Sequence, residues 1–257
     1  MSKETREHFV SDFDPAREIE NITAWIRGWF EENGPEASAV IGISGGKDSS
    51  IVAALLVRAL GLKRVVGVMM PDGVQADIAD SRALVEHLGL TAYTVDIGPG
   101  KQALKASVEE SFGGPLSKDS AINLPPRMRM ATLYAIAQSL EHGGRVANTC
   151  NRSEDYIGYS TKYGDAAGDF SPCAEYLVTE MRLIGDALGL PADLVHKTPS
   201  DGLSGLSDEA KIGFTYETLD TYIATGSCPD PAIREKIDRM HRLNLHKLKT
   251  IPVYHRG

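Results

Sequence analysis

Residues 42–50 form a glycine-rich run with the groups needed to bind an anion: Gly42-Ile43-Ser44-Gly45-Gly46-Lys47-Asp48-Ser49-Ser50. The adjacent glycines let main-chain N–H groups come close to phosphate oxygens. The serine hydroxyls and the Lys47 ammonium add donors and positive charge. Asp48 by itself would repel phosphate, so its presence indicates a divalent cation between carboxylate and anion. The run therefore predicts a phosphate-binding turn that works with a metal ion.

Two known phosphate motifs do not fit this run. The Walker pattern requires Ser or Thr after Gly-Lys, and Asp48 stands at that place. The dinucleotide pattern GxGxxG is absent from the sequence. The alternative interpretation is that Gly45 and Gly46 form a left-handed turn without a ligand.

A second group of polar residues follows a later apolar stretch. Residues 145–150 predict a strand, and Glu154 comes soon after it. Ligands of open parallel sheets bind at the carboxyl ends of the strands, so Glu154 and Asp48 are expected at the same edge. Two carboxylates there would hold Mg²⁺ against a triphosphate. The alternative is that Glu154, or its neighbour Asp155, only stabilises the start of a helix.

The elements that must position these residues alternate along the chain. A helix is predicted from its cap, Asp14, to Gly34. Buried strands are predicted at 37–44 and 64–70 and a third strand at 91–97, with helices at 49–60 and 77–88 between them. This order predicts an α/β fold, a doubly wound parallel sheet with helices on both faces.

The second half of the chain is predicted to be mostly helical. Helices are expected at 101–112, 126–142, about 175–188 and 231–248, and a strand at 145–150. Residues 192–213 are rich in Ser, Gly, Asp and Pro and predict a long loop, which in a compact domain is usually functional. We expect one domain over 1–257, with an N-terminal helix and a C-terminal helical tail.

Composition and charge argue against several classes of partner. The formal net charge is -8 and the pI is about 5.4, which disfavours a nucleic acid partner. No apolar run approaches a bilayer span, and Met1-Ser2-Lys3-Glu4-Thr5 lacks an apolar signal region. We therefore expect no membrane partner and a cytoplasmic location. The three cysteines form no CxxC pair and no HExxH pattern occurs, so neither disulfides nor zinc are expected.

The residues Ser44 to Ser49 resemble the SGGxDS loop of the N-type ATP pyrophosphatases. In that superfamily the loop holds the pyrophosphate leaving group while the α-phosphate is transferred as AMP. The resemblance implies an adenine nucleotide alpha hydrolase-like fold and ATP binding by Gly42 to Ser49. It points to the superfamily but leaves the acceptor substrate open.

Later segments resemble those of the ammonia-dependent NAD synthetases. They are Asn148 to Glu154, Gly158 to Asp165, Gly168-Asp169, Lys197 to Leu203 and His246-Lys247, within a resemblance that extends from about Ile19 to Pro252. The resemblance implies that Thr149 and Ser200 contact ATP, and that Asp48 and Glu154 bind magnesium. It also implies contacts to deamido-NAD by Arg127, Lys162, Asp169, His246 and Lys247.

Most of these residues also have a plainer interpretation. Arg127 and Arg129 would equally suit a solvated helix terminus, and basic residues at a helix end often only complement its dipole. Tyr134, Tyr159 and Tyr163 are candidates to stack on the nicotinate or adenine ring, but ordinary aromatic packing explains them as well.

Two positions depart from the family pattern. Val178 stands where a family lysine contacts ATP, and Asn148 stands where the family has glycine, which puts close approach of ATP there in question. Losing a cation near a polyphosphate should weaken binding or transition-state stabilisation. We hypothesise that Lys47, at a position that is often Gln, supplies the missing charge. Replacing Lys47 with Gln should then raise the KM for ATP or lower kcat.

The resemblance implies amidation of deamido-NAD to NAD through an acyl-adenylate, with catalytic roles for Lys47, Asp48 and Glu154. ATP is the expected co-substrate and Mg²⁺ the expected cofactor. No glutaminase segment is visible, so ammonia is expected free or from a separate glutaminase, and a homodimer is expected. The alternatives are another ATP pyrophosphatase, such as a tRNA-modifying ligase, and a nucleotide-binding protein without turnover.

Overall fold

A parallel four-stranded sheet forms the centre of the computed structural model, which describes residues 12–73, 78–197 and 208–256. The strands are β1 (Ser38–Gly42), β2 (Val65–Met69), β3 (Thr91–Thr94) and β4 (Gly144–Val146). Their order is β3-β2-β1-β4, and each neighbouring pair is parallel. The predicted doubly wound α/β fold is confirmed.

Helices precede, connect and follow the strands. They are α1 (Pro15–Asn33), α2 (Lys47–Leu60), α3 (Ile78–Leu88), α4 (Gly98–Phe112), α5 (Lys118–Ser139), α6 (Arg152–Ile157), α7 (Val178–Ala187), α8 (Ala192–Val195), α9 (Asp208–Ile212), α10 (Tyr216–Thr225) and α11 (Pro231–Leu248). A short 3₁₀ turn, Leu62–Arg64, precedes β2. No helix within the described ranges is long and apolar enough to cross a bilayer.

The two faces of the sheet bury different side chains, as the alternation of a strand requires. Ala39 and Ile41 of β1 join the larger core, which α1, α2 and α7 cover. Val40 points to the other face, where it packs with Val146 and with Ala137 of α5. Burying each large aliphatic side chain contributes roughly 1.5–3 kcal/mol, so both faces stabilise the sheet.

The first helix forms as its sequence predicts. The Asp14 side chain accepts hydrogen bonds from the N–H groups of Ala16 and Arg17, and Pro15 occupies the first turn. Its buried residues recur at helical spacing and face the larger core: Ile19, Ile22, Thr23, Ile26 and Phe30. The helix ends before Gly34.

Several predicted boundaries were wrong. Strand β3 ends at Thr94 rather than residue 97, and β4 ends at Val146 rather than residue 150. Helix α5 begins at Lys118, well before residue 126, because Ser117 caps it and Pro125 and Pro126 lie inside it. Because prolines are best tolerated in the first turn of a helix, the start of this helix was predicted at the prolines and therefore too late.

The predicted long loop at 192–213 also contains regular structure. Helices α8 and α9 lie at its two ends, and residues 198–207 are outside the described ranges. Helix α10 was not predicted. The Thr215 side chain caps it by accepting a hydrogen bond from the Thr218 N–H, and Tyr216 and Leu219 are buried beneath it.

Strands β1 and β4 lie side by side, and the helix that follows β1 packs on the opposite face of the sheet from the helix that precedes β4. After β1 the chain enters α2, which packs in the larger core, whereas α5, leading into β4, packs on the opposite face. A crevice forms at such a switch point, outside the carboxyl ends of the strands. The glycine-rich run and Glu154 both lie at this crevice.

Candidate active site

The turn between β1 and α2 is held by its own serines. The hydroxyls of Ser44 and Ser49 lie 3.0 Å apart, and the Ser44 hydroxyl accepts a hydrogen bond from the Gly46 N–H at 3.2 Å. Gly45 has φ 77°, a left-handed conformation that favours glycine. No side chain caps α2, so N–H groups of its first turn face the crevice beside the positive end of the helix dipole. The turn can bind phosphate.

Lys47 and Asp48 form an ion pair at the base of this turn. The Lys47 ammonium lies 2.7 Å from Asp48 Oδ2, and the lysine side chain is only 3% exposed. Burial lowers the pKa of Lys47, but the charges of Asp48 and Glu154 outweigh burial and raise it. The lysine is therefore held charged among carboxylates.

Glu154 reaches the same place from the next strand. It lies in the first turn of α6, where the Asn151 side chain accepts a hydrogen bond from the Glu154 N–H at 3.0 Å. Burial, together with the charge of Asp48, raises the pKa of Glu154 to about 8. The two carboxylates therefore lie close enough to repel each other.

The donor set fits a magnesium ion that arrives with a nucleotide. Asp48 Oδ1 is buried and accepts no hydrogen bond from any part of the chain that the structure describes, which leaves an oxygen available for a cation. Mg²⁺ typically binds through one or two carboxylates, substrate phosphates and water rather than a full cage of side chains. In agreement, the described part of the chain has no group of three or more His, Cys, Asp or Glu side chains placed to hold a metal.

Tyr216 lies beneath the ion pair of Lys47 and Asp48. Its side chain is completely buried, and its hydroxyl has no hydrogen-bond partner among the residues that the structure describes. The Lys47 ammonium lies 5.8 Å from the centre of the Tyr216 ring, within range of a cation–π interaction. Nearby, the Tyr159 hydroxyl donates to Asp208 Oδ1 at 3.0 Å, which brings α9 to the site.

A cavity of about 950 Å³ opens from the turn. Its size is within the range of cavities that hold small-molecule ligands and cofactors. Its walls include the glycine-rich run, Thr149, Glu154 and a group of basic and polar side chains: Lys118, Asn123, Arg129, Lys197, Lys211 and Lys247. The cavity therefore joins the phosphate turn, the carboxylates and several cations.

The structure separates the residues predicted to contact the dinucleotide. Lys247 lies in the cavity wall and donates to the carbonyls of Gly158 at 2.7 Å and Ser160 at 2.9 Å. The lining residues do not include the other predicted dinucleotide contacts: Arg127, Lys162, Asp169 and His246.

Arg127, Lys162 and His246 are linked to one another instead, whereas Asp169 is bonded to β4. Lys162 donates to the His246 carbonyl at 2.9 Å, and the Arg127 guanidinium donates to the Lys162 carbonyl at 3.4 Å. Asp169 accepts hydrogen bonds from the Val146 N–H at 2.7 Å and the Tyr134 hydroxyl at 3.1 Å. Ser200 lies outside the described residues.

Asn148 does not obstruct the cavity. Its side chain is buried and turns toward the following loop, where it donates to the Asp165 carbonyl at 3.0 Å and accepts from the Cys150 N–H at 2.9 Å. Its neighbours Ala147 and Thr149 line the cavity instead. The Asn at this position therefore stabilises the loop and leaves the cavity open beside Ala147 and Thr149.

Val178 belongs to an apolar cluster beneath the site. It is fully buried with Ile157, Phe214 and Tyr216, and its N–H donates to the Ser153 hydroxyl at 3.0 Å. The Lys47 ammonium lies over the ring of Tyr216, which belongs to the same cluster.

No role was predicted from the sequence for Tyr216, which lies in another segment that resembles the family, or for Lys211, and Arg129 was treated only as an additional cation. Arg129 lines the cavity and donates to the Met70 carbonyl at 3.1 Å. Tyr216 and Lys211 follow a long stretch without clear periodicity, so no local pattern predicts that they return to the phosphate turn. Of the three candidate tyrosines, Tyr159 alone lines the cavity.

Comparison with known proteins gives the same match along almost the whole chain. A family model described as NAD synthase matches residues 18–254. An NH₃-dependent NAD⁺ synthetase of Carboxydothermus hydrogenoformans is 37% identical over 238 residues, which covers 91% of this chain and 96% of that protein.

Solved structures also match. The structure of an NMN synthetase from Francisella tularensis has a TM-score of 0.86 and 29% identity, covering 95% of this chain and 100% of that one. An NH₃-dependent NAD synthetase from Campylobacter jejuni, in complex with a nitrate ion, has a TM-score of 0.76 and 25% identity, with the same coverage.

Proposed function

Because this chain belongs to the NAD synthase family, we infer that it is an NAD synthetase, an ATP-dependent ligase that amidates deamido-NAD with ammonia. The similarity to relatives named NH₃-dependent NAD⁺ synthetases supports ammonia as the nitrogen donor. The proposed route has two steps, adenylation and then amide formation.

One observation carries this proposal. At the β1–β4 switch point, a phosphate-binding turn and two carboxylates face a cavity of about 950 Å³. ATP needs a site for its polyphosphate and room for the acceptor beside its α-phosphorus. The crevice offers both, with Lys247 and Arg129 on the acceptor side.

In the first step a nicotinate carboxylate oxygen attacks the α-phosphorus of ATP. The bond from that phosphorus to the bridging oxygen of pyrophosphate breaks, giving an acyl-adenylate. Ammonia then attacks the acyl carbon and passes a proton to water, and AMP leaves with the electrons of the acyl C–O bond. The side chains bind and orient the reactants, and the N–H groups of the turn stabilise the pyrophosphate charge.

We assign Asp48 and Glu154 as the residues that would hold Mg²⁺. The buried, unpaired Oδ1 of Asp48 and the closeness of the two carboxylates support this assignment. When bound, the ion neutralises charge on the triphosphate. Thr149 in the cavity wall and Ser200 are proposed as further ATP contacts.

The direct test is pyrophosphate release with mass detection of the product. With ATP, Mg²⁺, deamido-NAD and ammonium, we expect NAD, AMP and pyrophosphate in equal amounts. Omission of deamido-NAD should stop pyrophosphate release. Glutamine in place of ammonium should give no NAD unless a separate glutaminase is added. ATP binding without turnover would contradict the proposed activity.

A second candidate acceptor is the mononucleotide, nicotinate mononucleotide. The Francisella tularensis NMN synthetase has the higher TM-score of the two solved structures described above. Arg127, Lys162 and His246 were predicted to contact the larger dinucleotide. None of the three is among the residues that line the cavity of one chain. An acceptor without the adenylate half would not need them.

The two acceptors are separated by comparing kcat/KM for deamido-NAD and nicotinate mononucleotide. For a dinucleotide enzyme, replacing Lys162 with Ala should lower kcat/KM for deamido-NAD about tenfold through KM. The same variant should leave the mononucleotide reaction unchanged. Equal loss with both acceptors would exclude an adenylate-specific role for Lys162.

We also propose a homodimer formed through α4 and α5. Helix α4 has no buried residue, and Leu104, Val108 and Phe112 repeat every four residues with 43%, 41% and 79% exposure. Ile122 of α5 adds a fourth exposed apolar side chain. Such a stripe is typical of a helix that packs against another surface. A second copy can supply the same stripe about a twofold axis.

A further inference from the structure

Lys47 occupies the place where the proposed metal site needs its ligands free. Its ammonium is 2.7 Å from Asp48 Oδ2, while the other oxygen of that carboxylate, Oδ1, is buried without a hydrogen bond. One oxygen of the same carboxylate is therefore taken by the chain's own cation, and the other is available to an incoming one.

The surroundings hold this lysine in place. The side chain lies above the ring of Tyr216 and is 3% exposed. Asp48, Glu154 and Asp220 act on it as negative charges, and Arg182 acts on it as a positive one. The lysine therefore offsets about one unit of the negative charge that the carboxylates would otherwise present to a divalent ion.

We propose that Lys47 exchanges partners during the reaction: it pairs with Asp48 in the nucleotide-free enzyme and moves to the pyrophosphate when the metal takes that carboxylate. Oδ1 of Asp48 would be the first of its oxygens open to the ion, and Oδ2 would become available once the ammonium has left it. Lys47 lines the same cavity as Gly45 and Gly46 of the turn, so its flexible side chain would rotate toward a polyphosphate bound there. This inference rests on the proposed adenylation.

The exchange has two measurable consequences. Without nucleotide, Lys47 competes with the divalent ion, so the metal should bind weakly by itself. With pyrophosphate present, the released ammonium should contribute to anion binding. A lysine that only stabilised the turn would not both weaken metal binding and strengthen pyrophosphate binding.

The first test measures Mn²⁺ binding by electron paramagnetic resonance, with no nucleotide present. We expect Lys47→Gln to bind Mn²⁺ at least tenfold more tightly than the wild type. Lys47→Arg keeps the charge and should stay within threefold of the wild type. Lys63→Gln, at an exposed lysine in the 3₁₀ turn, is the matched control and should not change the affinity. Equal or weaker Mn²⁺ binding by Lys47→Gln would overturn the proposal.

The second test measures pyrophosphate binding by calorimetry at saturating Mg²⁺. We expect Lys47→Gln to bind pyrophosphate at least tenfold more weakly, although its metal affinity has increased. Unchanged pyrophosphate affinity would mean that the lysine never reaches the anion. If Lys47→Gln does not fold, Lys47→Met, which keeps the aliphatic contact with Tyr216, serves for both measurements.

Neither binding assay contains deamido-NAD or ammonium. Failure of the exchange would appear as unchanged metal and pyrophosphate affinities in an enzyme that still makes NAD. Failure of the proposed function would appear as absent NAD, whatever the two affinities are. The two outcomes are therefore distinguishable.

Discussion

Asp48 and Glu154 lie far apart in the sequence, and their roles depend on meeting at one ion. Asp48 follows directly from the phosphate turn, whereas Glu154 depends on the Asn151 cap and on the start of α6. The burial that raises the pKa of Glu154 also makes an unshared charge costly there. A bound divalent ion would relieve both effects.

Removing either charge should therefore impair catalysis more than folding. For Asp48→Asn and Glu154→Gln we expect kcat/KM for ATP to fall at least about 100-fold, as for other losses of preorganised charge stabilisation. The measurement is steady-state pyrophosphate release across a Mg²⁺ titration. Asp186→Asn is the control, because that carboxylate is exposed and contacts His196 at 2.9 Å. Activity within threefold of the wild type would contradict the assignment.

At the scale of the element, α6 and α11 position the acceptor side of the cavity. Gly158 ends α6 in a left-handed conformation with φ 63°, and a Cβ there would lie 2.1 Å from Asn244 Cβ of α11. The Asn244 side chain donates to the Ile157 carbonyl at 3.1 Å, and Lys247 donates to the Gly158 carbonyl. The glycine thus permits two helices to approach and to present Lys247.

Gly158→Ala should separate these helices. We expect a loss of about 3 kcal/mol in the free energy of unfolding, from left-handed strain and overpacking together. Gly113→Ala is the matched control: it has φ 75° but nothing within 4 Å of the added Cβ, so about 1 kcal/mol is expected from strain alone. Urea unfolding measures both, and equal losses would show that the contact with Asn244 does not matter.

A hydrogen bond between α10 and α11 should make stability depend on high pH. The Tyr222 hydroxyl donates to Asp238 Oδ1 at 2.6 Å, and this bond, with burial, raises the pKa of Tyr222 from 10.0 to about 12. Between those values the unfolded tyrosine has lost its proton while the folded one keeps it. Folding is therefore favoured below pH 10, and this contribution disappears as pH rises toward 12.

Tyr222→Phe should remove that contribution. We expect the variant to be about 1 kcal/mol less stable than the wild type at pH 8, the usual contribution of a hydrogen bond to a charged group near the surface. The difference should shrink as pH approaches 12. Urea unfolding at several pH values measures it, with Tyr93→Phe at an exposed tyrosine as control. If the difference in unfolding free energy between the wild type and Tyr222→Phe does not change with pH, the hydrogen bond does not make the expected contribution.

At the scale of the whole molecule, the exposed stripe on α4 predicts a dimer. Phe112→Glu places a charge at its most exposed apolar position, which is 79% exposed. We expect the mass in solution to fall from twice 27.8 kDa to that of one chain. Light scattering after gel filtration gives the mass.

Leu62→Glu, at a 45% exposed position away from the stripe, should remain dimeric. A wild type that is monomeric at about 10 μM would contradict the dimer, because a stable homodimer buries a large apolar interface and does not dissociate at such a concentration.

The phosphate turn was predictable because it is local. Backbone amides, glycines and serine hydroxyls between Gly42 and Ser50 meet without help from the rest of the chain. The alternation of apolar strands with helices likewise predicted the parallel sheet, since β2 is buried along its whole length and β1 over its centre. One domain over 1–257 and a cytoplasmic location stay predictions.

Tertiary structure alone decided which residues join the turn. The sequence places Lys47 beside a phosphate site, but only packing shows its ammonium held by Asp48 above a buried Tyr216. It also places Lys247 in the cavity wall and leaves Lys162 and Arg127 out of it, although the resemblance implied a dinucleotide contact for all three. The reason is physical: local sequence fixes backbone conformation over a few residues, whereas the depth and direction of a side chain depend on elements that arrive from distant parts of the chain.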